Sequence, residues 1–249
     1  AGIAGSEGMG FTAGMTQWLV ETQVMNVGFV MPMMGGAIGL SLVSVNYGDI
    51  MRSGWAGTTE FVFEPNQSSF SASDMAMQFS YGKNLSDKFS LGGTAKMLSQ
   101  SIDDVTLSGM AFDIGTQFNT GYRGIRMGAV ISNFGADIES EAGEDISYEE
   151  YPAMSLPMTF SFGVVGEAIP GLNAGLNVLK QADMGQEFIV NAEYNISLAS
   201  LRFSYNLNNP QQDMSVGAGV NLGGISANLA MTMTQHFDNV MRLGIGYSF

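Results

Sequence analysis

The stretch MSVGAGVNLGGISANLAMTMT, Met214–Thr234, decides the fold. Met214, Val216, Ala218, Val220 and Leu222 alternate with Ser215, Gly217, Gly219 and Asn221. After Gly223 and Gly224, the residues Ile225, Ala227, Leu229, Met231 and Met233 alternate with Ser226, Asn228, Ala230, Thr232 and Thr234. A period of two is the repeat of a β-strand, whose successive side chains point to opposite faces, and a glycine pair between two such runs is a hairpin signal. The second face carries neither Lys nor Glu. A soluble sandwich needs charge on its outward face. A wall of Gly, Ser, Asn and Thr backed by Met, Leu, Val and Ile instead matches a strand with lipid on one side and a lumen on the other.

Working outward, the same alternation recurs along the chain. Its apolar members include Phe11 and Met15, Met75 to Tyr81, Phe89 to Met97, Met110 to Phe118, and Ile125 to Ile131. They continue through Met158 to Val164, Leu172 to Val178, Phe188 to Tyr194, Leu201 to Leu207 and Leu243 to Phe249. Two less regular segments, near 23–31 and 36–47, bring the expected number of strands to fourteen, an even count as single-chain outer-membrane barrels have. The expected fold is all-β: a transmembrane antiparallel β-barrel forming one domain over residues 1–249.

Composition narrows the alternatives. The chain has 249 residues, 45% hydrophobic and only 13% charged, with 33 glycines, 19 methionines and no cysteine. Without cysteine there is no disulfide scaffold and no thiolate metal site. Nine Lys and Arg against 23 Asp and Glu cannot make a basic stripe for nucleic acid. A single histidine, His236, gives a catalytic triad or histidine metal centre little material, so neither catalytic nor metal-binding residues nor a cofactor are expected. The most apolar run, residues 27–40, is broken by Pro32 and four glycines and is too short for a spanning helix. A membrane chain with no spanning helix must close its strands into a barrel, because lipid cannot satisfy free backbone groups.

Loop lengths set an orientation. The two long connections, roughly 48–71 and 135–156, fall on the same side by strand parity, and every connection on the other side is short. Barrels place long loops outside the cell and short turns in the periplasm. Both termini are therefore expected in the periplasm of a bacterial outer membrane. Tyr247 and the terminal Phe249 look like an aromatic signal for the barrel-assembly machinery. Loop 48–71 carries Trp55, Phe61 and Phe63; loop 135–156 carries Glu144, Asp145, Tyr148 and Tyr151 among many acids. Exposed aromatics and carboxylates on a rim are candidate contacts for a partner protein, or a solvated loop. The carboxylates raise the question of Ca²⁺, but no spacing here matches an EF-hand. By alternation Lys96, Asp113, Arg126, Glu193 and Arg202 face the lumen, where they line a path or pair with one another, Lys96 with Asp113 and Glu193 with Arg202.

Three segments carry a family resemblance. NYGDI (Asn46–Ile50) follows an IGLSLVSV strand; FSASDMAMQFSYGKNLSDKFSLGGTAKML spans Phe70–Leu98; and Gln100–Ile138 ends in SNFG and ADI. Over about 46–138 the chain resembles the PorV/PorQ family of outer-membrane proteins, related in fold to FadL-type fatty-acid transporters. The resemblance implies a FadL-like barrel of fourteen strands. It also implies an N-terminal plug, of which Ala1–Ala4 reads as the tail, so the plug itself is expected to be missing from this chain. It implies a non-enzymatic accessory of type IX secretion, binding a larger translocon protein or the β-domain of secreted cargo through its extracellular loops. The alternatives are a FadL-like conduit for hydrophobic small molecules and a structural barrel in a surface assembly.

Overall fold

The computed structural model describes residues 1–51, 54–56, 60–62, 69–103, 105–140, 154–209 and 214–249, with side chains left undescribed at 54–56, 60–62 and 139–140. Fourteen long strands run up and down in chain order. The first seven are β1 (Gly10–Gln17), β2 (Gln23–Met33), β3 (Gly36–Met51), β4 (Ser69–Asn84), β5 (Phe89–Ile102), β6 (Val105–Asn119) and β7 (Arg126–Gly135). The second seven are β8 (Thr159–Ile169), β9 (Leu172–Gln181), β10 (Gln186–Ile196), β11 (Ala199–Asn206), β12 (Met214–Leu222), β13 (Ile225–Thr232) and β14 (Val240–Ser248).

Every strand pairs antiparallel with its neighbours, and β1 pairs with β14 from Gly10↔Ser248 to Gln17↔Met241. The sheet is therefore a closed barrel with no free edge, as lipid demands. Two short pieces lie outside this wall: a ribbon of Gly54–Ala56 and Glu60–Val62, and Glu139–Ser140 against β6. No described helix is long and apolar enough to cross a membrane.

The short turns follow local chemistry. Met34 and Gly35, and Gly223 and Gly224, all have positive φ, the requirement of a two-residue hairpin whose twist matches its strands. These turns lie at one end of the barrel; the long connections leave from the other. Toward the long-connection end β3 to β6 run beyond the alternating cores, with 14 to 16 residues each. There the outward positions turn to Ser and Asp, so the apolar signal fades while the backbone ladder goes on. The expected loop 48–71 thus contains the ends of two strands.

Apolar mass sits on the outside. Met97 is 64% exposed, Ile245 61% and Leu243 53%, and Val240 is the largest fully buried side chain described. Such a surface has no place in water and belongs against acyl chains. Tyr247 and Phe249 stand on this face, packed edge to face at 4.6 Å between ring centres. Lys180 also lies on the outer parity and donates to the Met184 carbonyl beside its strand end.

The first residues, read in the sequence as the tail of a plug, turn into the lumen, where Ala1–Gly5 are held by Ala4 N–H to Ala1 O and Ser6 N–H to Ile3 O at 3.0 Å each. Small residues on the wall make the room. Ala37, Gly82, Gly92 and Gly115 are cross-strand neighbours in one row. A Cβ on Gly92 would fall 2.1 Å from Ala1 N, and one on Gly82 3.1 Å from Ile3 Cγ1.

Because the outer face meets hydrocarbon, Leu243→Arg should destabilise the barrel by about 2–4 kcal/mol. Denaturant unfolding in lipid bilayers checks this, and an unchanged midpoint would place that face in water.

Candidate functional site

The lumen wall is built by the second parity of each strand, and its chemistry follows from which residues that parity selects. Most are Gly, Ser, Thr, Asn and Gln, too small to fill the interior. Cavities of about 590 Å³ remain, one bordered by Asp113, Arg126, Asn177 and Asn191, another by Glu193, Arg202, Asn228 and Arg242. Asn191 borders both, so they are two parts of one lumen.

The first charge cluster is held by a kink. β6 and β7 lose register between Phe112 and Ile114, where two residues of β7 oppose one of β6. Asn133, inside SNFG, takes positive φ there, a conformation Asn tolerates better than most residues. The bulge turns its side chain inward while Phe134 stays outward against Phe112, ring centres 5.9 Å apart. Lys96 Nζ lies 2.7 Å from Asp113 Oδ2 and donates to Asn133 Oδ1 at 2.8 Å; Asn133 N–H donates to Asp113 Oδ1 at 2.9 Å. NYGDI is also a bulge: β3 slips against β4 between Asn46 and Asp49, Gly48 takes positive φ, and Tyr47 Oη–H donates to Asp74 Oδ2 at 2.6 Å.

The second cluster spans three strands. Glu193 and Arg202 are register partners, with Nε 2.6 Å from Oε2. Arg202 also donates to Asn228 Oδ1 at 2.7 Å, and Asn195 donates to Glu193 Oε1 at 3.2 Å. Further along, Arg242 donates to Thr232 Oγ1 at 2.6 Å and lies over the Trp18 ring.

Of the five charges expected in the lumen, four are brought together in pairs: Lys96 with Asp113 and Glu193 with Arg202. Arg126 lines the first cavity, and its side chain makes neither an ion pair nor a hydrogen bond among the described residues. The reading missed Arg242, Asp74 and Glu187, each on the inward parity. Arg242 sits between outward Met241 and Leu243, the signal by which it was legible. Glu187 accepts from Asn206 at 2.6 Å. Trp55 and Phe61 are register partners in the short ribbon, their side chains undescribed. Phe63, Glu144, Asp145, Tyr148 and Tyr151 lie outside the described residues. No group of three or more His, Cys, Asp or Glu fit to hold a metal occurs among the described residues.

A repeated contact shapes the wall. Four inward asparagines lie across glycines of a neighbouring strand: Asn26 on Gly14, Asn177 on Gly163, Asn191 on Gly175 and Asn228 on Gly219, all register partners. A Cβ on those glycines would come 2.1–2.6 Å from the amide oxygen, closer than any real contact. The bare glycine lets the amide lie flat, its oxygen against Cα–H, and the bore stays open.

Wall, lumen and ladder together define an outer-membrane β-barrel. No protein-family model matches this sequence, and no curated protein does. Among solved structures, the Pseudomonas putida toluene transporter TodX is similar, at 9% identity over 98% of this chain and 91% of that one, with a TM-score of 0.68. The KdgM porin aligns at 10% identity over 97% and 98%, with a TM-score of 0.47. The TodX likeness is one of fold.

The two ion pairs should differ in strength. Lys96 and Asp113 are 13% and 20% exposed, whereas Arg202 and Glu193 are 42% and 37% exposed and face open lumen. Double-mutant cycles read by denaturant unfolding should give about 1–3 kcal/mol of coupling for the first pair and about 1 kcal/mol or less for the second. Equal couplings would mean that both pairs are equally solvated.

Proposed function

We propose that this chain is a non-enzymatic outer-membrane barrel whose lumen admits small polar solutes. The observation that carries this reading is the wall itself: small polar side chains, amides laid flat on glycines, and about 590 Å³ of space in each half of the lumen. A barrel serving only as a scaffold gains from filling its interior, since empty space forfeits packing contacts. TodX is a toluene transporter. In the present chain Ser, Thr, Asn and four Lys or Arg side chains face inward, which favours solutes that hydrogen bond over hydrocarbons.

A second reading follows from the charge at one end. Each of the seven connections at the long-connection end carries at least one Asp or Glu, and Arg52 is the single Lys or Arg among them. Such a rim repels acidic surfaces and attracts a cationic one. It supports an accessory protein of PorV type, with periplasmic termini, whose loops 48–71 and 135–156 face outward and meet a translocon or secreted β-domain through Trp55, Phe61 and the acids near Tyr148. Purification from native membranes in mild detergent should then bring down a larger membrane protein; a clean monomer under several conditions counts against this second reading.

For the conduit, planar-bilayer recordings of the purified barrel should show discrete conductance steps. Removing residues 1–5, which occupy the lumen, should enlarge them. A folded barrel that produces no steps, with or without those residues, would overturn the reading.

A further inference from the structure

The lumenal cations are unequally satisfied. Lys96 has Asp113 and Arg202 has Glu193, both within ion-pair distance, and Arg242 has Thr232 and the Trp18 ring. Arg126 has none of these, although Glu193 contributes to its electrostatic surroundings. It is exposed to a cavity of about 590 Å³, a size that suits one small molecule.

The wall around Arg126 looks like the floor of a site. In register order its row runs through Val165 and Gly175 to Asn191; the row above runs from Gln117 through Gly128 and Gly163 to Asn177. Three glycines therefore leave bare backbone between four polar side chains. The cross-strand contacts also place the amides: with Oδ1 of Asn177 against Gly163 and Oδ1 of Asn191 against Gly175, both side chains lie along the wall of the cavity. Neither amide has a hydrogen-bond partner among the described residues. Asp113, the carboxylate of this lining, is occupied by Lys96 and Asn133. The cavity thus offers a guanidinium and two amide donors in excess of the acceptors to match them.

We propose that this face of the lumen binds a small polyhydroxy carboxylate, its carboxylate received by Arg126 and its hydroxyls by Asn177 and Asn191. The planar guanidinium fork fits a carboxylate in a two-point contact. Arg126 is the one Lys or Arg of this lining and suits a single negative charge, and amides that lie along the wall suit a ligand with several hydroxyls rather than an apolar tail. The proposal deepens the conduit reading, since it gives the lumen a solute class.

Titration calorimetry of the detergent-solubilised barrel at low salt tests it without requiring conduction. Gluconate should bind, acetate more weakly, and sorbitol not measurably. Arg126→Gln should weaken gluconate at least tenfold. The double variant Asn177→Leu/Asn191→Leu should bring gluconate down to the level of acetate, and Lys88→Gln, in an exposed turn, should change nothing. Heat-dependent mobility on gels identifies variants that still form the barrel. If Arg126→Gln fails to form it, Gly128→Leu, which fills the floor at a position where a Cβ meets only Thr116 O at 3.5 Å, serves in its place and should abolish gluconate binding. Gluconate binding that survives Arg126→Gln or Gly128→Leu in a folded barrel would overturn the proposal, as would its absence in the wild type. Conductance without gluconate binding would sink this site and leave the conduit standing; binding without conductance would do the reverse.

Discussion

Lipid offers no hydrogen bond to a peptide group, and each unpaired N–H or C=O in hydrocarbon costs several kcal/mol. That constraint forces β1 onto β14 and removes every edge from the main sheet. Closure in turn assigns each residue to one of two worlds by parity alone. Methionine, phenylalanine and leucine go outside because nothing inside is apolar enough to hold them, and serine, glycine and asparagine line the lumen. The usual relation of core to surface is inverted, which is why so few large side chains are fully buried.

The interior then faces a problem that a packed core does not. Polar side chains that project across a narrow tube would obstruct it. Two devices appear in the wall. Charges are drawn to one another along the register, as Glu193 to Arg202, so they lie beside the wall rather than across the lumen. Amides are laid on glycines, which gives their oxygens a neighbour and keeps them along the wall. Where neither device operates, at Arg126, a charge is left available.

The strands were legible because alternation is strictly local: each run shows its two faces within seven or eight residues. The inward identity of Lys96, Asp113, Arg126, Glu193 and Arg202 came from the same parity, and Arg242 was readable by it as well. What parity cannot supply is register. The asparagine–glycine contacts join residues nine to sixteen positions apart and become visible only once neighbouring strands are aligned. The bulge at Asn133 was hidden for a different reason, since a left-handed asparagine inside a strand is spelled like any other polar residue. The first residues read as a tail because the wall positions they meet, Gly39, Gly82 and Gly92, lie far along the chain.

The pairing of β1 with β14 also bears on how the barrel is made. Almost every other ladder joins strands adjacent in sequence and can form as a local hairpin, whereas this one joins positions about 230 residues apart. Loop-closure entropy makes such a contact late. Until it forms, the growing sheet has two open edges, each a template for another chain. The slow step and the dangerous intermediate therefore coincide, and both end with the docking of the final nine-residue strand.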